Sequence, residues 1–321
     1  MTDLIPTQGA PLAAYRDDVL AFAAASSAAN TRRAYRAAWE SFCVWCEAHA
    51  VTALPASPET VAAWLSELAK AGQKVSTLSV KRAALCAAHR AANLPDPTRA
   101  ELVRLTLRGI TRTMRAAPTK KAPVTLAELR VMLGTLDRTT LQGKRDAALL
   151  LVGFAGAFRR SELVALDVED ARFGADGLRL TVRQSKTDQE GQGLLKVIPR
   201  LEDPELCPVT ALRVWLDAAA INSGPLLRRL ERNGTTRGRL TDQVIKDRVK
   251  TAAKRAGLDP RQFAGHSLRA GFVTAAAVAG AQALDIAAQT GHRSLDTLKG
   301  YVRDAGLGAK RAVVGAFTEG A

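Results

Sequence analysis

Arg159, Lys186, His266, Arg269, His292 and Tyr301 follow one another through the second half of the chain, and five of them stand in short polar words. These are Ala-Phe-Arg-Arg-Ser-Glu-Leu, Ser-Lys-Thr-Asp, Gly-His-Ser-Leu-Arg and Thr-Gly-His, with the tyrosine nine residues after the last histidine. Together they could build a metal-free phosphoryl-transfer site. A phosphodiester under attack concentrates negative charge on its non-bridging oxygens, and fixed cationic donors can meet it without a metal. Arginine suits this task because its planar fork grips two phosphate oxygens and stays charged. On this reading Arg159 and Arg269 hold the non-bridging oxygens and His266, one helical turn before Arg269, faces the same phosphate. His292 donates to the remaining oxygen, Tyr301 is the nucleophile, and the leaving oxygen needs a proton donor. Each residue also has a plainer reading: a core tyrosine, a core histidine, a solvated hairpin lysine, or an ion pair between Arg159 and Glu162.

The order, spacing and local words resemble the tyrosine recombinase (phage integrase) family over nearly the whole chain. That family's first box reads roughly Gly-Leu-Arg-x-Ser-Glu-Leu, and residues 157–163 match it with Arg159, not Arg160, in the catalytic place. His266 and Arg269 fill its His-x-x-Arg box. Gly291, His292, Ser294, Thr297 and Tyr301 meet its closing box. The stretches 39–46 and 89–97 look Cre-like, whereas a histidine at 292 is the Xer choice and not the Cre one. The resemblance implies a mainly α fold with a small antiparallel β-sheet: a helical, SAM-like core-binding domain followed by an α+β catalytic domain. It also implies cleavage and rejoining of double-stranded DNA with inverted half-sites through a 3′-phosphotyrosyl intermediate and a Holliday junction. A dimer would occupy each site and a tetramer the synapse, with C-terminal segments exchanged between protomers. No cofactor and no metal are implied. Lys186 falls at the family's general-acid lysine, which the resemblance implies protonates the leaving 5′-oxygen, with Lys196 as its competitor, and Glu162 is placed behind Arg159 rather than against the phosphate. A type IB topoisomerase-like nicking and religating activity, or a catalytically silent DNA-binding architectural factor, are the competing functions.

Charge agrees with a polyanionic partner. The 321 residues carry 46 Lys and Arg against 31 Asp and Glu, a net charge of +15. Residues 1–120 hold 15 basic against 9 acidic side chains, so both halves contribute to the excess. Candidate DNA-backbone contacts are Arg32, Arg33, Arg36, Lys81 and Arg82, then the stripe Arg104, Arg108 and Arg112, which shows no acidic partners at the same spacing. Arg237, Arg239, Lys246 and Lys250 extend the set, and Arg160 is read as a surface or DNA-backbone residue. No apolar run reaches the ~20 residues needed to span a bilayer, and no charged leader with an apolar core opens the sequence, so a cytoplasmic, nucleoid-associated protein is expected. Cys43, Cys46 and His49 with Cys86 and His89 could be imagined around zinc. Their setting in alanine-rich helical patterns favours small buried hydrophobes.

These groups must be positioned by elements legible in the pattern. Asn30 or Thr31 is expected to cap a helix carrying Tyr35, Trp39, Phe42 and Cys46. Ser57-Pro58 opens a second, Ser76 a third, and a fourth runs from about Thr98 to Arg115. Two prolines in 116–123 break the pattern, giving a domain at 1–116, a linker at 117–123 and a catalytic domain at 124–321. Thr125 and Glu128 form a capping box. Residues 146–156 read as a buried helix, 178–182 and 194–198 as a hairpin, and the rest as helices over 209–219, 241–256, 266–279, 284–290 and 294–302, with an apolar tail around 309–317.

Overall fold

The computed structural model describes residues 29–114, 121–183, 193–231 and 233–291. Contacts divide the chain between Thr119 and Lys120 into two units. The first is helical: α1 (Ala29–Ala48), α2 (Pro58–Lys70), α3 (Val75–Ala91), a 3-10 turn (Pro97–Arg99) and α4 (Glu101–Met114). Ser57 accepts from the Thr60 N–H at 3.2 Å with Pro58 in the first turn, so α2 starts where its sequence said. The Asn30 side chain instead takes the Arg33 guanidinium, inside a helix that already includes Ala29. It therefore does not cap α1.

Packing follows the apolar faces, α1 against α3 and α2 against α4. Phe42, Cys46, Val61, Trp64, Leu65, Leu78, Leu85 and Val103 form the core, with Phe42 and Trp64 ring centroids 4.9 Å apart. His89 is fully buried in it. Its Nδ1–H donates to the Leu85 carbonyl at 2.9 Å and its Nε2 accepts from the Ala56 N–H at 3.0 Å, which satisfies both ring nitrogens within the core.

In the second unit α5 (Leu126–Gly134) begins at the expected box, Glu128 reaching back to the Thr125 N–H at 2.7 Å. Helix α6 (Leu141–Ala155) is buried from Ala147 to Phe154 on every side and packs against α8 (Pro208–Ala218) and α10 (Ser267–Val278). Between α6 and α8 lie α7 (Arg160–Ala165), a 3-10 turn (Val168–Asp170) and a three-stranded antiparallel sheet of β1 (Ala171–Gly174), β2 (Gly177–Val182) and β3 (Leu194–Pro199). Leu180 pairs with Lys196. Leu178, Leu180 and Val182 face the core, and across the register Lys196 and Ile198 do too. Beyond α8 come the hairpin β4 (Arg228–Leu230) and β5 (Thr236–Arg239), then α9 (Asp242–Arg255), α10 and α11 (Ala283–Thr290). The sequence pattern marks neither β1 nor the β4–β5 hairpin. Among the described residues no helix is long and apolar enough to cross a membrane.

Candidate active site

The turn that ends α6 organises the site. Ala155 closes the helix, and Ala157 takes φ +47°, a left-handed conformation that reverses the chain. Phe158 then drops into the core and Arg159 emerges half-buried as the residue before α7. Glu162, one turn on, is 2% exposed. Its carboxylate accepts from the Arg159 backbone N–H at 3.0 Å and from Nη1 at 2.5 Å. The ion pair named as an alternative to phosphate binding is thus present. It orients the guanidinium before any substrate arrives, which is preorganisation.

Arg269 comes to the same turn from α10. It is 1% exposed, and its Nη1 donates to the Ala157 carbonyl at 2.8 Å. One reversed peptide segment therefore fixes both arginines. His266 stands immediately before α10 and keeps its outer edge open to solvent. Partial burial, then the charges of Arg269, Arg159 and Arg160, hold its imidazole below the ordinary range, against an opposing pull from Glu162. A neutral imidazole can donate to one oxygen and accept a proton at the other nitrogen.

Arg160 does not stand free on the surface. A Cβ on Gly265 would lie 2.1 Å from Arg160 Cδ, so the arginine crosses directly over this glycine, and it ends 3.6 Å from Asp242 on α9. That crossing joins α7 to the loop carrying His266.

Lys196 completes the described cluster. Its amine is fully buried, lies 4.9 Å over the Phe158 ring and donates to the Gln289 carbonyl. Burial lowers its pKa to about 7, with Arg269 and Arg159 pushing the same way and Glu162 opposing. The clue in the sequence was the alternation of the partner strand, which puts residue 196 on the buried face. Lys186, His292 and Tyr301 lie outside the described residues. Helix α11 ends at Thr290 and is capped by Gly291, whose φ of +68° and N–H bond to the Ala287 carbonyl at 2.7 Å close it just before His292.

The basic candidates sort differently. Arg32, Arg33, Arg36, Arg104, Arg108 and Arg112 are exposed. Arg104 pairs with Glu101 at 2.5 Å, three residues before it and so outside the four-residue spacing of the stripe. Arg82, Lys246 and Lys250 are half-buried. Lys81 lies 4.9 Å over the Trp64 ring, and burial lowers its pKa. Arg237 pairs with Glu231 at 2.8 Å. Arg239 turns inward, donating to Asp167 and to the Val164 and Leu166 carbonyls, which anchors the β4–β5 hairpin to the end of α7. That role is structural. Among the described residues no three His, Cys, Asp or Glu side chains group to hold a metal ion.

Residues 124–306 match the phage integrase family, and residues 20–93 match the phage integrase N-terminal SAM-like domain. An integrase/recombinase xerD homolog from Selenomonas ruminantium is 39% identical over 286 residues, 88% of this chain and 84% of that protein. Recombinase cre of Escherichia phage P1 is 24% identical over 82% of this chain and 81% of its own. The fold is shared with XerH site-specific recombinase bound to palindromic difH substrate in a post-cleavage complex, at a TM-score of 0.60 and 18% identity over 80% of this chain and 71% of that one. A lambda integrase dimer bound to a COC′ core site gives 0.50 at 16% identity over 76% and 64%. With its SAM-like helical unit, its catalytic unit and an arginine pair held on one turn, the chain belongs to the phage integrase family of tyrosine site-specific recombinases.

Proposed function

We propose that the protein cleaves and rejoins duplex DNA at inverted half-sites through a 3′-phosphotyrosyl intermediate and exchanges strands through a Holliday junction. The observation that carries this reading is the convergence of Arg159, Arg269 and His266 on the Ala157 turn. In the first step the Tyr301 oxygen bonds to the scissile phosphorus as the bond to the 5′-oxygen breaks. The phenol, with an ordinary pKa near ~10, passes its proton to the neutral His266 imidazole as it attacks, and Lys186 supplies one to the departing alkoxide. The arginines hold the non-bridging oxygens and His292 donates to one of them. Religation reverses these transfers, so the bond energy stays in the phosphotyrosine ester and no ATP is needed.

A dimer on each site and a tetramer in the synapse fit a further feature. An apolar cavity of about 600 Å³ is lined by Leu126, Leu129, Phe154, Val197, Ile198 and Phe272. It suits the apolar tail Ala312, Val313, Val314 and Phe317, either of a neighbouring copy or of the same chain. The protein then works on the nucleoid, in the cytoplasm. A suicide duplex nicked beside the scissile phosphate tests the reading: a covalent adduct excludes a silent architectural factor, and recombinant product from two sites excludes a topoisomerase.

A further inference from the structure

A lysine with no exposed surface is costly to keep, because a buried ammonium forfeits its hydration unless close partners replace it. Lys196 has three kinds. Its amine donates to the Gln289 carbonyl, lies 4.9 Å over the Phe158 ring, and is drawn toward a positive state by Glu162. Those partners belong to two different parts of the site. Phe158 is the residue before Arg159, on the turn that also receives Arg269. Gln289 is the penultimate residue of α11, three before His292. The Gln289 side chain ties the same junction, its amide donating to the Ala155 carbonyl at 2.9 Å and the Val197 carbonyl at 3.2 Å. Strand β3 meets this helix end a second time, where a Cβ on Gly291 would lie 2.7 Å from Leu194 Cδ2.

We propose that Lys196 and Gln289 form a latch that sets the end of α11, and with it the segment leading to His292 and Tyr301, against the turn carrying Arg159. Lys196 is then a positioning residue and not the proton donor, since its amine is sealed from solvent and committed to a carbonyl. This inference rests on the recombinase reading. It adds that the distance between the phosphate-holding arginines and the nucleophile's segment is enforced through the amine on β3. The charged groups facing that amine are Glu162 and Arg159 from the turn and α7, and Arg269 from α10. With its pKa near 7 the amine is charged on the acid side of neutrality, where its bond to the Gln289 carbonyl is charge-assisted and most directional, although burying that charge costs overall stability.

The test uses the full chain and a suicide duplex built on the sequence that the protein itself selects from a random pool, made also with a 5′-bridging phosphorothiolate. Lys196→Met is expected to bind this probe as wild type does and to cleave it about 10²-fold more slowly, as small misplacements of reacting groups do. The defect persists on the phosphorothiolate, because no proton donor has been lost. The ratio of wild-type to variant rate falls as pH rises from 6 to 8, as the latch loses its charge. Gln289→Leu, which keeps the lysine and removes only the amide bonds, shows the same defect more weakly and covers the case in which Lys196→Met does not fold. Wild-type cleavage by both variants overturns the latch. Rescue of Lys196→Met by the phosphorothiolate also overturns it, making Lys196 the general acid. Failure of the wild-type protein itself to form any adduct overturns the recombinase reading and the latch with it.

Discussion

Ala157 holds a backbone conformation that costs an L-residue about 1–2 kcal/mol and a glycine almost nothing. Glycine is the residue that the family box has in this place, and the left-handed φ supplies the reason. Ala157→Gly is therefore expected to stabilise the protein by about 1 kcal/mol, after allowing for the greater freedom of glycine in the unfolded chain, as read from a denaturant midpoint. A destabilised variant would mean that the alanine methyl packs better than its strain costs. Lys186 invites a different test. If it protonates the 5′-oxygen, Lys186→Ala cleaves ordinary DNA slower by roughly 10²–10⁴-fold and recovers much of that on a 5′-bridging phosphorothiolate, since a thiolate leaves without a proton. Arg269→Ala shows no comparable recovery. At this scale sequence pattern served well where spacing is local: Arg159 with Glu162, and His266 with Arg269, each lie one helical turn apart. The burial of Lys196 was harder to foresee, because it depends on pairing with Leu180 across the hairpin.

Caps and alternation made most elements legible. The Thr125 box, the Ser57 cap and the apolar run of α6 each declare a structure through contacts within a few residues. What escaped lacks that local signature. Strand β1 is four residues with a single aromatic, and β4 and β5 carry four arginines where alternation would ask for apolar residues. Tertiary partners hold them there, Asp167 for Arg239 and the Pro225 carbonyl for Arg228. Glu162 is the point at which an element and the site share one side chain. Glu162→Ala removes both the reach-back bond that starts α7 and the partner of Arg159, so a loss of about 1–3 kcal/mol in unfolding free energy is expected, together with slower cleavage. Loss of activity with unchanged stability would place the carboxylate in the chemistry and not in support of it. Lys196 gives the sheet a pH dependence. Its folded pKa of about 7 lies below the 10.5 of the free side chain, so the folded state binds fewer protons between these values. The contribution of Lys196 to stability therefore rises as pH climbs through that window and is flat below about 7. Urea unfolding at pH 6.5 and 9 should show wild type gaining on Lys196→Met at the higher pH.

Across the whole molecule the +15 charge and the site's arginines lead to one linked expectation. DNA binding weakens steeply with salt, through release of counterions from the backbone. Cleavage persists in EDTA, because Arg159 and Arg269 supply the positive charge that a metal would otherwise bring. A requirement for magnesium in the cleavage step itself would contradict this account of the site. The central claim, that Tyr301 is the nucleophile facing a phosphate held by Arg159 and Arg269, is tested most directly by trapping. Wild-type protein incubated with a suicide duplex is expected to yield a covalent protein–DNA species that survives denaturation, and Tyr301→Phe is expected to bind the same duplex and yield none. An adduct of equal yield from Tyr301→Phe would contradict the claim and place the nucleophile on another residue.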